Sequence, residues 1–68
     1  MTDAHGASLV QGDRVRLLSK PDGVQSQHYP LTVGGEYEVV GFIGSNVQTT
    51  TDEPGLCADY WRGRVEKV

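Results

Sequence analysis

Cysteine is nearly absent from this 68-residue chain. Cys57 stands alone, so no disulfide closes within it, and a reducing, cytoplasmic setting is expected. Long apolar runs are also missing. No stretch approaches the roughly 20 residues that cross a membrane as a helix. The opening residues, Met1 to Ser8, hold no basic cluster and no apolar centre, so no secretory signal is expected there. Helical periodicity is absent too. No segment repeats apolar residues at i, i+3, i+4 and i+7 over the ~11 positions that define an amphipathic helix. Basic charge is scarce, with 6 Lys and Arg against 9 Asp and Glu and a formal net charge of −3. That balance argues against a general polyanion binder.

What is present suffices for one thin core. Leu, Ile, Val and Phe supply 16 of the 68 residues, above the roughly 20% below which chains stay disordered. A chain this short buries only about 60% of its extended surface on folding, which leaves little material for a deep cleft. Residues 1–11 are small and polar. They are expected to form a flexible N-terminal tail, with Leu9 and Val10 docking at its end. Residues 12–68 are expected to form the folded domain.

Alternation of apolar and polar residues marks the strands. In Asp13 to Leu18, Val15 and Leu17 share one face while Arg14 and Arg16 share the other. Ser19 to Thr32 reads as a long loop with a turn at Pro21-Asp22-Gly23. Loops of that length are functional or disordered. A second turn, Val33-Gly34-Gly35, precedes the clearest strand, Glu36 to Ile43. There Tyr37, Val39, Gly41 and Ile43 face one way and Glu36, Glu38, Val40 and Phe42 the other. Its far half is therefore expected to be covered on both sides, with Gly41 at a bulge or bend. Gly44-Ser45-Asn46 is a short hairpin connection. Asn46 to Thr51 is rich in β-branched residues, Pro54-Gly55 is a type II turn, and Leu56 to Tyr60 is the return strand. Trp61-Arg62-Gly63 has room only for one helical turn or a tight loop before the last strand, Arg64 to Val68. Five short strands joined in this way predict an all-β domain with a small closed sheet, because closure hides strand edges.

Three segments of this chain, Gly12-Asp13-Arg14-Val15-Arg16-Leu17, Leu31-Thr32-Val33-Gly34-Gly35-Glu36-Tyr37-Glu38-Val39-Val40 and the terminal Arg64-Val65-Glu66-Lys67-Val68, resemble the SH3-like domains of very short phage-encoded and bacterial proteins. That group shows a G-x-x-V-x-L opening strand, a long loop, an L-x-V-G-x-x-Y-x-V element, a polar hairpin and a last strand of F-E-x-V character. The ending here departs from that last motif. The resemblance spans about residues 12 to 68 and rests on turn glycines and core hydrophobics, which speak to architecture rather than activity. It implies a five-stranded SH3-like small barrel whose first and last strands are neighbours. For a phage-encoded factor it also implies the cytoplasm of a bacterial cell.

Catalytic and metal chemistry find little support in the sequence. His5, His28 and Cys57 lack C-x-x-C or H-x-x-x-H spacing. Cys57 alternates onto the same face as Asp59, not toward a base, and is expected to be a half-buried strand residue. Glu36, Glu38, Asp52 and Glu53 lie on solvated strand faces or turns, and Gly34-Gly35 lacks the rest of a phosphate loop. No catalytic residue, metal or cofactor is expected, and the chain does not read as an enzyme. Two surface features stand out. SH3-like barrels often gather loop and strand-end aromatics into one groove that docks peptides or cages a methylated lysine. Tyr29, Tyr60 and Trp61 are the candidates here, against a plainer reading in which Trp61 caps the barrel end. Arg14, Arg16, Arg62 and Arg64 come together if first and last strands pair. They then form either a phosphate-binding patch or, as the interspersed Asp13 and Glu66 favour, cross-strand ion pairs. The expected function is a non-enzymatic protein-interaction module of the kind a phage uses to modulate a host protein. The alternative is a small nucleic-acid-binding barrel using the arginines. Self-association is open, because a thin core gains from a second copy.

Overall fold

Alternating burial follows the alternating sequence. The computed structural model describes residues 1–20 and 30–68. Among the described residues five strands form: β1 (Arg14–Leu17), β2 (Glu36–Ile43), β3 (Asn46–Thr50), β4 (Cys57–Trp61) and β5 (Val65–Lys67), with a 3-10 turn at Arg62–Arg64. In β1, Val15 and Leu17 are buried while Arg14 and Arg16 are not. In β3, Val47 and Thr49 are buried; in β4, Ala58 and Tyr60. The strands form one antiparallel sheet in the order β4-β3-β2-β1-β5. First and last strands are neighbours, with Leu17 opposite Val65 and Arg16 opposite Glu66.

The long strand β2 serves both halves of the sheet. Its start, Glu36 to Glu38, pairs with β1, and its remainder pairs with β3. Val39 faces Thr49 and Gly41 faces Gln48, so Val40 is an extra residue on β2. Such a bulge bends a strand and increases its twist. The bend lets both halves turn the same face inward. One core cluster accordingly collects Val15 and Leu17 from β1, Tyr37 and Val39 from β2, Val47, Ala58 and Tyr60 from β3 and β4, and Val65 from β5.

The closed sheet expected from the sequence is not formed. β4 and β5 are the two ends of the strand order, and among the described residues no ladder joins them. The reason is local. The chain leaves β4 through the 3-10 turn, and the three residues of β5 are paired with β1 rather than running back along β4. The far half of β2 also departs from expectation. Phe42 is 39% exposed and Ile43 54%, because both lie beyond the bulge at the tip of a hairpin closed by Gly44 and Ser45.

Two turns have the predicted form. Gly35 N–H donates to the Thr32 carbonyl at 2.9 Å, and Leu56 N–H to the Glu53 carbonyl at 3.2 Å. At Gly35 a Cβ would lie 2.8 Å from the Tyr37 hydroxyl and 2.9 Å from the Thr32 carbonyl, so only glycine fits that approach. The Tyr37 hydroxyl there accepts from Thr32 N–H at 2.7 Å and donates to Asp52 at 2.8 Å. Asp52 N–H donates to the Pro30 carbonyl at 2.8 Å. The end of the long loop is thereby clamped to the β3–β4 turn.

The N-terminal segment corrects a second expectation. Residues 1–11, read from the sequence as a flexible tail, are folded onto the domain. Thr2 and Ser8 bridge, Leu9 is buried in the core, and Ala4 N–H donates to the Val65 carbonyl at 2.9 Å. Asp3 is the anchor. It is only 3% exposed. Its carboxylate accepts from the backbone N–H groups of His5 (2.9 Å), Ala7 (2.8 Å) and Lys67 (2.7 Å). Burial pushes the Asp3 pKa up, but the bonds from Lys67, Ala7 and His5, with the charge of His5, outweigh it and hold the group below its ordinary 3.8. A short polar segment looks loose in sequence because its buried carboxylate takes one of its donors from Lys67, at the far end of the chain.

Candidate interaction surface

Strand alternation decides where the predicted aromatic groove goes. Tyr60 and Trp61 are consecutive in β4, so they point to opposite faces. Tyr60 is 3% exposed, and its hydroxyl shares a 2.8 Å bond with Thr49, a buried pair. Burial pushes its pKa up, the Thr49 bond pulls it down, and the proximity of Tyr37 adds to the rise. Tyr60 is a core residue, which corrects its assignment to a surface groove. Tyr29 lies outside the described residues. Trp61 alone of the three is shown on the surface, 55% exposed. Its indole folds back over the 3-10 turn: a Cβ on Gly63 would sit 2.5 Å from two of its ring carbons. The ring thus lies against the Gly63 backbone, where no larger residue fits beneath it. The inward parity of Ala58 and Tyr60, read against Val47 and Thr49, was the sequence signal that separates Tyr60 from Trp61.

Sheet register gives Trp61 different company. Ile43 stands opposite Asn46, and Asn46 opposite Trp61. The next row, Phe42, Val47 and Tyr60, contains two buried residues, so the Ile43–Asn46–Trp61 row faces outward. Phe42 belongs to the inward row and is 39% exposed because it ends that row at the hairpin tip. Between the two apolar ends, Asn46 donates to Asp59 at 3.0 Å. The result is a short apolar stripe on the sheet, interrupted by one hydrogen-bonded amide. The bulge or bend expected at Gly41 is present, with Val40 as the extra residue, and so is the hairpin at Gly44 and Ser45; what differs is that Phe42 and Ile43, expected to be covered on both sides of β2, are exposed.

The four arginines do not form one free patch. Arg16 lies between Glu66 at 3.1 Å and Glu36 at 3.6 Å. Arg62 donates to the Thr2 hydroxyl at 2.9 Å and reaches the Thr2 carbonyl at 3.3 Å. Arg64 donates to the Lys20 carbonyl at 2.8 Å and the Ser19 hydroxyl at 3.2 Å. Arg14 is exposed opposite Glu38. Lys67 completes the alternation against Asp13 at 3.4 Å. These are the cross-strand and loop-holding partnerships expected where signs alternate.

Charge is instead divided between the two halves of the sheet. From residue 36 to residue 61 the chain carries Glu36, Glu38, Asp52, Glu53 and Asp59, with no Lys or Arg. Every basic residue lies on β1, the 3-10 turn or β5, or beside them at Lys20. The apolar stripe thus sits on the acidic half. Cys57, expected to be half-buried, is exposed on β4. His5 is exposed, its ring nitrogen 3.2 Å from Glu66, and His28 lies outside the described residues. Among the described residues no surface pocket opens and no three His, Cys, Asp or Glu side chains converge. Comparison with protein-family models, curated proteins and solved structures finds no match to this chain.

Proposed function

We propose that this chain is a non-enzymatic protein-interaction module with an SH3-like fold. Three features support that reading of the fold: β1 between β2 and β5, β2 shared by both halves of the sheet, and a 3-10 turn leading from β4 to β5. The observation that carries the function is the outward row of Ile43, Asn46 and Trp61. In a core this thin, a tryptophan and an isoleucine left facing water are apolar area available to a partner, and tryptophan is among the residues that dominate interface energies. The family resemblance adds a setting, that of a short phage-encoded factor modulating a host protein in the bacterial cytoplasm. The arginines of the alternative nucleic-acid reading are largely engaged within the chain, and the charged residue placed beside the exposed stripe is Asp59, whose carboxylate repels phosphate.

The test is capture of a partner on the immobilised chain in parallel with a Trp61→Ala variant of unchanged circular dichroism. A stoichiometric protein held by the parent and released by the variant is the expected result. Capture of nucleic acid instead, lost steeply with salt and on neutralising Arg14 and Arg16, would favour the alternative.

A further inference from the structure

The geometry of β4 says how such a partner is held. The hairpin closed by Gly44 and Ser45 makes Ile43 and Asn46 a hydrogen-bonded pair. The ladder alternates, so Val47 and Thr49 turn their backbone groups toward β4, where Tyr60 and Ala58 meet them. The bond from Arg62 N–H to the Ser45 carbonyl, 3.3 Å, fits the same parity. The backbone groups of Cys57, Asp59 and Trp61 therefore point away from the sheet. Among the described residues, none of them meets a partner.

The other end of the sheet is dressed differently. There the N-terminal segment covers β5: Ala4 N–H takes the Val65 carbonyl and the Asp3 carboxylate takes Lys67 N–H. Covering an edge is how folded chains avoid unwanted strand pairing. Among the described residues the outward backbone groups of Cys57, Asp59 and Trp61, next to the apolar stripe, carry no such cover.

Resting on the interaction reading above, we propose that the free edge of β4 takes up an extended, basic peptide segment of another protein as a sixth strand. Charge selects this occupant. Asp59 lies at the middle of the edge, and the half around it contains no Lys or Arg. A second copy paired two-fold about Asp59 would set two carboxylates directly opposite, which is destabilising. A basic residue opposite Asp59 removes that conflict, and an arginine one pleat along lies flat on the Trp61 indole. Main-chain bonds supply affinity and the alternate side chains supply specificity, as in other strand-addition complexes.

The experiment titrates the full-length, 15N-labelled chain with the synthetic peptide acetyl-Arg-Val-Arg-Val-Arg-amide. Two comparison peptides are the Glu-Val-Glu-Val-Glu analogue and the arginine peptide N-methylated at its arginine amides, which keeps the charges and removes the strand donors. The expected result is amide shifts at Cys57, Asp59 and Trp61, roughly tenfold weaker binding of the methylated peptide, no binding of the acidic one, and severalfold weakening by Asp59→Asn. Equal binding of methylated and unmethylated peptides, with shifts only at the Trp61 indole, would overturn strand addition while leaving the interaction surface standing. Absence of shifts at millimolar peptide would overturn it as well. Concentration-dependent shifts at β4 without any peptide, with a dimer by light scattering, would assign the edge to a second copy.

Discussion

The two edges of this sheet are treated in opposite ways. β5 has three residues, a buried carboxylate laid against it and a backbone donor from the N-terminal segment. β4 has five residues, no backbone partner beyond β3 among the described residues, and an exposed tryptophan at its end. The contrast shows that a small β-domain need not close its sheet to protect itself. One edge is covered by the N-terminal segment, and the other has no such cover among the described residues.

The contrast breaks most sharply where the sealing segment meets the core. Leu9→Ala is expected to cost about 2–5 kcal/mol, the range for a buried leucine, and to raise amide exchange along β5 toward that of β4. Urea unfolding and exchange rates measured together check both halves of that statement; loss of stability with β5 still protected would show that Leu9 packs without sealing. Next comes Asp3→Asn, which keeps the shape but weakens the bonds to three backbone donors. It is expected to lose about 1–3 kcal/mol.

The same residue gives the edge a pH dependence whose sign is set by its depressed pKa. Its contribution is complete above the ordinary value of 3.8 and is lost as pH falls through the lower folded value. Parent stability should therefore decline more steeply in acid than that of Asp3→Asn, and parallel acid curves would remove Asp3 as the seal. At the opposite extreme of pH, Tyr60 and Tyr37 are both held above 10.0, chiefly by burial. Their contribution is complete below that value and fades as pH rises through the folded pKa values, a trend that Tyr60→Phe should flatten.

Smaller effects sharpen the picture. Arg16→Gln removes two half-exposed ion pairs to Glu36 and Glu66 and is expected to cost at most about 1 kcal/mol, less in high salt. Trp61→Ala, at the open edge, is expected to shift stability by about 0.5 kcal/mol or less while abolishing partner capture. A large loss of stability there would mean that the indole over Gly63 is a structural cap and not a contact held for a partner.

How much of this was readable beforehand differs from residue to residue. Val15 and Leu17 announced their burial because strand alternation is local. Gly35 and Pro54-Gly55 announced their turns for the same reason. The Tyr60–Trp61 pair misled, since adjacency in sequence suggests a cluster while adjacency in a strand enforces opposite faces. Phe42 and Ile43 misled because they end β2 at the hairpin tip, where the cover expected on both sides is missing. Asp3 was invisible, because nothing near it in sequence tells a buried anchor from a soluble acid.

The order of residues alone determined that this chain makes strands, where they turn, and which side chains of β1 face inward, because these follow from φ, ψ and a two-residue repeat. Only the folded chain decided which edge is covered, which arginines are already taken and where the exposed aromatic sits. Those outcomes depend on groups far apart in sequence meeting across the sheet: Asp3 with Lys67, Arg62 with Thr2, and Asn46 with both Ile43 and Trp61.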